Sequence, residues 1–191
     1  MADPKVKGSA FLSVRRSVAE LRGEDAVEAA LRAAVIEGNQ PFRLEGIVAT
    51  GWYPIDWYKA WLAGIRRGLG EGPAFLREVG GRCATNDLKG VYRVFMKMLA
   101  PETLYSLSPR FFSSFYDTGQ LEILDSRPGR THAQWTGCTG FDANMWAELT
   151  GSNEAFLEHA GAFHVRIRVI AGGGDGDDYM EAAAHWAQKT G

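Results

Sequence analysis

Apolar residues recur along this chain in two rhythms, and the rhythm changes once. From Arg15 to Glu37 they fall at helical intervals. Between Glu24 and Glu37, Val27, Ala30, Leu31, Ala34 and Val35 share one face, and Gly38-Asn39 stops the run. Gly51-Trp52-Tyr53-Pro54 then punctuates the chain, with Pro54 suited to the first turn of a helix. Tyr58, Trp61, Leu62, Ile65 and Leu69 mark the next helical stripe, which ends at Gly70-Glu71-Gly72-Pro73. A short helix is predicted over 74–84 and a stronger one over 87–99, where Leu88, Val91, Tyr92, Phe95 and Leu99 align. Pro101 and Pro109 each open a further short helix, the second capped by Ser108. Val6 to Leu12 reads as a short strand or extended entry, and 43–50 fits strand or helix equally.

At Asp117-Thr118-Gly119 the period switches to two. Leu121 and Ile123 alternate with Glu122, Arg127-Pro128-Gly129 turns the chain, and Arg130 to Cys138 returns as a second strand. Asp142 to His159 is helical, with Trp146, Leu149, Phe156 and Leu157 as apolar members and Gly151 as a weak point. Phe163, Val165, Ile167 and Val169 then alternate with His164, Arg166 and Arg168. Gly172 to Gly176 turns into a last strand over 179–186. The predicted fold class is α+β: a helical N-terminal half, then a small antiparallel sheet (strand-strand-helix-strand-strand) with helices packed on one face. One domain is expected over 1–191, its helical half reaching to about 117 and its hairpin-helix-hairpin half starting at about 118.

Composition removes several function classes. With 21 basic and 23 acidic residues the chain offers no field for nucleic acid or an anionic membrane, and neither is an expected partner. No apolar run approaches the roughly 18 residues of a membrane helix, the first residues lack a signal-peptide core, and the two cysteines, Cys83 and Cys138, are read as reduced, buried thiols. A cytoplasmic protein is expected. No nucleophile elbow or phosphate loop occurs, so no catalytic residue is assigned and an enzyme is not expected. The aspartates around Gly176 do not make a calcium loop, because Trp186 stands where the twelfth-position Glu would be. His132, His159, His164 and His185 lack metal-ligand spacing, and neither a metal nor a cofactor is predicted.

Aromatic residues are the unusual feature: six Trp, six Tyr and ten Phe. They cluster in Trp52-Tyr53-Pro54-Ile55-Asp56-Trp57-Tyr58-Lys59-Ala60-Trp61, where helix-face packing and one wall of an apolar pocket are both open. Trp52, Tyr53, Trp57, Tyr58, Trp61, Tyr92 and Phe95 are the candidate ligand-binding residues. Trp57, at the margin of its stripe, suits a pocket, and Trp61, in its middle, suits core.

Val6-Lys7-Gly8-Ser9-Ala10, Trp52-Tyr53-Pro54, Asp87-Leu88-Lys89-Gly90-Val91-Tyr92-Arg93 and the closing Gly176-Asp177 with Trp186 resemble a myxobacterial paralogous family without assigned function. That family is distantly similar to heme–nitric-oxide-binding domains and four-vinyl-reductase-like sensor domains. The resemblance implies a non-enzymatic sensory or regulatory module that binds a small hydrophobic ligand and commonly acts as a homodimer. A ligand-free homodimeric adaptor is the alternative. Two family features are missing. A paired-cysteine hairpin, and with it a zinc site, is replaced by Gly172 and Met180 around Gly176. A proximal histidine before the hairpin is absent, and only Asp125-Ser126-Arg127 stands near the expected Tyr-x-Ser-x-Arg, so heme binding is not expected.

Overall fold

A computed structural model of the chain describes residues 3–88 and 100–187. Strand β1 (Lys5–Lys7) is shorter than the predicted entry, because helix α1 (Gly8–Arg22) begins at Gly8. The single helical run predicted to Glu37 is two helices. Gly23, at φ 88°, breaks the chain where a side chain would be strained, and α2 (Glu24–Ala33) follows. Val35, predicted on the α2 stripe, instead lies exposed in the two-residue strand β2 (Val35–Ile36), which pairs with β3 (Gln40–Pro41). Residues 43–50 form neither strand nor helix.

The Trp-Tyr-Pro segment is strand β4 (Trp52–Pro54), antiparallel to β1, with Val6 opposite Tyr53. Pro54 is the N-cap residue of α3 (Ile55–Leu69), whose buried stripe holds Tyr58, Trp61, Leu62 and Ile65 as the spacing predicts. Helix α4 runs unbroken over Pro73–Asp87, longer than the predicted 74–84. Beyond Leu88, the helix predicted over 87–99 lies outside the described residues, and with it Tyr92 and Phe95. The two proline-led helices follow as α5 (Pro101–Tyr105) and α6 (Ser108–Phe115). Ser108 is inside α6 rather than capping it, and its hydroxyl donates to the Tyr105 carbonyl.

The second half matches the predicted order. Strands β5 (Gln120–Arg127) and β6 (Arg130–Thr136) form the hairpin, α7 (Ala143–His159) crosses over, and β7 (Phe163–Gly172) and β8 (Met180–Ala187) close the chain. The sheet is antiparallel in the order β5-β6-β8-β7, so the last strand is internal. Its inward face carries Thr131, Ala133 and Trp135 opposite Ala184, Ala182 and Met180. A bulge after Ile123 breaks the alternation and leaves Leu124 exposed.

Helix α7 is held at its start by Asp142, whose carboxylate accepts the Met145 N–H at 2.9 Å. The Gly-rich turn docks there too, Asp175 accepting the Ala143 N–H at 2.9 Å. α4 and α7 pack more extensively than any other two helices described. Their axes meet at glycines: a Cβ on Gly80 would stand 1.9 Å from the Glu148 carbonyl oxygen, and one on Gly151 would stand 1.9 Å from that of Arg77. Gly151, predicted as a weak point, is a contact point. Arg77 and Glu154 pair across the same interface, and the Ser152 hydroxyl donates to the Gly80 carbonyl at 3.0 Å. No helix among the described residues is long and apolar enough to cross a membrane.

Neighbouring glycines on α4 should respond oppositely to a methyl group. Gly80→Ala overpacks backbone against backbone and should lower stability by about 1–3 kcal/mol or more. Gly81→Ala meets only ordinary contacts, the nearest at 3.6 Å. It should be neutral or gain up to about 1 kcal/mol from helix propensity. Urea unfolding of both variants checks the contrast.

Candidate functional site

The glycine crossing decides which side chains face inward beside it. On α4, Cys83 and Asp87 stand three and seven residues after Gly80, one helical face along. On α7, Glu148, Ser152 and Phe156 follow at intervals of four. A cavity of about 300 Å³ opens between these faces and the sheet. Ala10 and Ser13 of α1 and Tyr58 of α3 close one side, and Phe111, Phe112 and Phe115 of α6 close another. Leu121 of β5 and Trp135 of β6 form the sheet wall. The cavity therefore lies where the helical half meets the sheet.

Its polar groups have one chemical character. Glu148 is 5% exposed, and its carboxylate lies 3.2 Å from the Ser152 hydroxyl, whose one proton it shares with the Gly80 carbonyl. Burial disfavours its charged form and pushes its pKa up to about 7. Hydroxyls of Ser152 and Tyr116 partly offset this, and the charge of Asp87 adds to it. Asp87 sits at the rim, exposed, accepting the Ser13 hydroxyl at 3.0 Å; desolvation raises its pKa as well, against Ser13 and Arg16. Burial likewise raises the Cys83 thiol and the Tyr58 and Tyr116 phenols, keeping all three protonated at neutral pH. No lysine, arginine or histidine is among the described residues that line the cavity.

Of the predicted site residues, Tyr58 lines the cavity. Trp61 is fully buried core, its ring 6.1 Å from that of Phe42. Trp57 is half-buried and stacks on Tyr53, with ring centroids 6.1 Å apart. The Tyr53 hydroxyl accepts the Val48 N–H at 2.8 Å, pinning the loop before β4. Trp52 is exposed under Lys7, whose ammonium lies 4.6 Å from the ring. These four form an aromatic layer around α3 that does not line the cavity. Tyr92 and Phe95 lie outside the described residues.

Glu148 was not among the predicted residues, although the sequence carried a sign of it. Met145, Glu148, Leu149, Ser152 and Phe156 share one helical face, so a carboxylate interrupts an apolar stripe. The histidines stand elsewhere. His132 is on the outward face of the sheet, 2.7 Å from Glu181, and His159, His164 and His185 are exposed. Both cysteines are buried and free, as expected. No set of three or more His, Cys, Asp or Glu residues able to hold a metal ion occurs among the described residues.

No family profile matches the chain, and no curated protein does either, so the narrower myxobacterial resemblance finds no support there. Solved structures do match. An unliganded Fe(II) H-NOX protein from K. algicida superposes with a TM-score of 0.71 at 11% identity, covering 97% of this chain and 98% of that one. The fold is that of H-NOX domains. An oxygen-binding H-NOX domain related to soluble guanylate cyclases, in its oxygen complex, gives 0.60 at 16% identity, covering 95% of each chain. A structure concerned with heme redox potential and protein-induced porphyrin distortion gives 0.58 at 16%, covering 94% of this chain and 98% of that one. At such identities the likeness of this H-NOX-fold chain extends to backbone architecture, and its cavity chemistry must be read from its own side chains.

Two measurements test the geometry. Trp61→Ala should cost about 3–5 kcal/mol, the range for a deleted core aromatic, and half-buried Trp57→Ala clearly less, in denaturant curves. The second concerns Glu148. Its folded-state pKa lies above its ordinary value, so its ionisation opposes folding. That penalty is absent at about pH 4, grows as pH rises toward the folded pKa near 7, and is complete above it. Glu148→Gln should accordingly change stability little at about pH 4 and raise it at about pH 8, by on the order of 2–3 kcal/mol. A gain that does not vary with pH would mean Glu148 is not the buried acid described.

Proposed function

We propose that the chain acts as a single, non-enzymatic sensory domain that binds a small apolar ligand in the cavity between its helices and its sheet. The observation that carries this reading is the cavity itself, walled by Phe111, Phe112, Phe115, Phe156, Tyr58 and Trp135. Its volume, about 300 Å³, sits at the lower end of the range for ligand sites. Aromatic walls supply a large desolvated contact area, and a few polar groups among them fix orientation. The fold supports the reading further, since the solved structures that share it include an oxygen-binding domain.

Heme does not fit the residues present. The described lining has no imidazole, and the segment 89–99 contains no histidine in its sequence. The available thiol and phenols are held protonated by burial, which opposes thiolate or phenolate ligation. No cation among the described lining residues meets propionates. Arg127, the nearest match to the family's propionate-binding arginine, is 72% exposed at its side chain and bound to Asp125 at 2.9 Å. The proposed ligand is therefore a metal-free organic molecule.

A ligand-free homodimer is the second reading. Val169, Ile170 and Tyr179, each 40–45% exposed along β7 and the turn after it, favour it. Native mass spectrometry and thermal melts with a panel of small apolar compounds separate the two. We expect at least one compound to raise the melting temperature, and Ala84→Leu, which fills the cavity from α4, to abolish the shift. Hemin should give no one-to-one Soret band. A dimeric protein that no compound stabilises would overturn the sensor in favour of the adaptor.

A further inference from the structure

We propose that the cavity selects a protonated amine with an apolar, aromatic-sized body, its ammonium held by the Glu148 carboxylate and its approach favoured by Asp87 at the rim. The inference rests on the ligand-binding reading above and adds the charge of the ligand.

Three features point the same way. Glu148 is deeply buried in the wall of an open space, and among the described residues no cation enters the electrostatic balance at its carboxylate. Buried carboxylates are ordinarily paired with a cation, and among the described residues this one has hydroxyl partners alone. Asp87, the other carboxylate among the described lining residues, adds negative charge. Arg16, the cation that acts on it, is already bound to Glu20 at 3.1 Å. The remaining described wall is aromatic rings, whose negative faces attract a cation, together with aliphatic side chains and neutral polar groups. An anionic ligand would face two carboxyl groups and no countercharge from the described lining. A neutral apolar ligand would leave Glu148 as it is. A protonated amine supplies the missing charge and donates hydrogen bonds that both carboxylate oxygens can accept.

Binding then carries a proton signature. Below the raised pKa the acid is protonated in the free protein, and the incoming ammonium stabilises its anion. The carboxyl loses its proton to solvent while the amine keeps its own, because alkylammonium ions titrate far above neutrality. The groups facing Glu148 are Cys83 and Asp87 from α4, Tyr58 from α3, Tyr116 following α6, and Ser152 from its own helix. The thiol and phenols stay neutral throughout, leaving the two carboxyls to titrate. Affinity for the amine should rise from about pH 5 to about pH 8 and level off as the free acid becomes ionised.

The test compares three isosteric probes on the purified full chain: phenethylamine, phenethyl alcohol and phenylacetate, by calorimetry and melting shift. Phenethylamine should bind about tenfold or more tighter than the alcohol, the worth of one charged hydrogen bond, and phenylacetate more weakly still. In buffers of different ionisation enthalpy at about pH 6, only the amine should release a proton. Glu148→Gln should remove the preference and the proton release while keeping the alcohol's affinity. Asp87→Asn should reduce the preference only in part. Equal affinity for amine and alcohol would overturn the charge assignment and leave the apolar pocket standing. Amine selectivity that survives Glu148→Gln would overturn the role of Glu148. Failure of all three probes to bind, with native spectra free of added mass, would remove the pocket reading along with this one.

Discussion

The close approach of α4 and α7 at Gly80 and Gly151 is the contact on which the rest of the arrangement depends. Each glycine weakens its helix by about 1 kcal/mol relative to alanine. In return two backbones come near enough that either Cβ would strike a carbonyl oxygen of the other helix. The helices then mesh along their length, with Arg77 paired to Glu154 and Ser152 bonded to the Gly80 carbonyl. Because a helix turns in a fixed period, this one crossing also aims Cys83 and Asp87 toward Glu148. The helical half is thereby locked to the crossover helix of the sheet. The space left between them, where α6 and the sheet cannot interdigitate, is the cavity.

A second small-residue contact repeats the device on the other side of the helical half. Gly64 and Gly68 of α3 bring it against Ala29, Ala30 and Ala34 at the end of α2. The large aromatics then fill the space around α3, where Trp61, Tyr58, Phe11 and Phe42 form a continuous core. The aromatic excess is thus divided between two jobs. One set, centred on α3, is packed solid, with Tyr58 at its edge also facing the cavity. Another, drawn from α6, α7 and β6, walls an open space.

Glu148 makes that space chemically specific. A carboxyl so deeply buried with hydroxyl partners alone lowers stability when ionised, and nothing in the packing of α7 requires it. An apolar residue there would complete the stripe of Met145, Leu149 and Phe156. The likeness to H-NOX structures, at 11–16% identity, accounts for the framework that places this helix and says nothing of this side chain. A fold carried by backbone packing leaves its cavity walls free to differ in chemistry.

The amino-acid sequence determined the main helices and the four strands of the sheet, in order. Periods of 3.6 and 2 follow from local geometry, so the α3 stripe, the proline-led helices, the β5–β6 hairpin and the crossover helix were all legible from spacing. Gly23 was missed as a break because the apolar period runs on past it, and only its φ of 88° divides α1 from α2. The sequence also shows, without coordinates, that no histidine precedes His132. Tertiary structure alone decided which aromatics pack and which line a cavity. Trp52, Tyr53, Trp57 and Trp61 were drawn together by local density, yet their partners are α1, β1 and the loop after β3. The cavity wall comes from seven elements spread along the sequence, which no local pattern can bring together. Glu148 shows the division most clearly. Its place on an apolar stripe is written in the sequence, but its burial and the neighbouring Asp87 depend on α4 crossing α7 at two glycines.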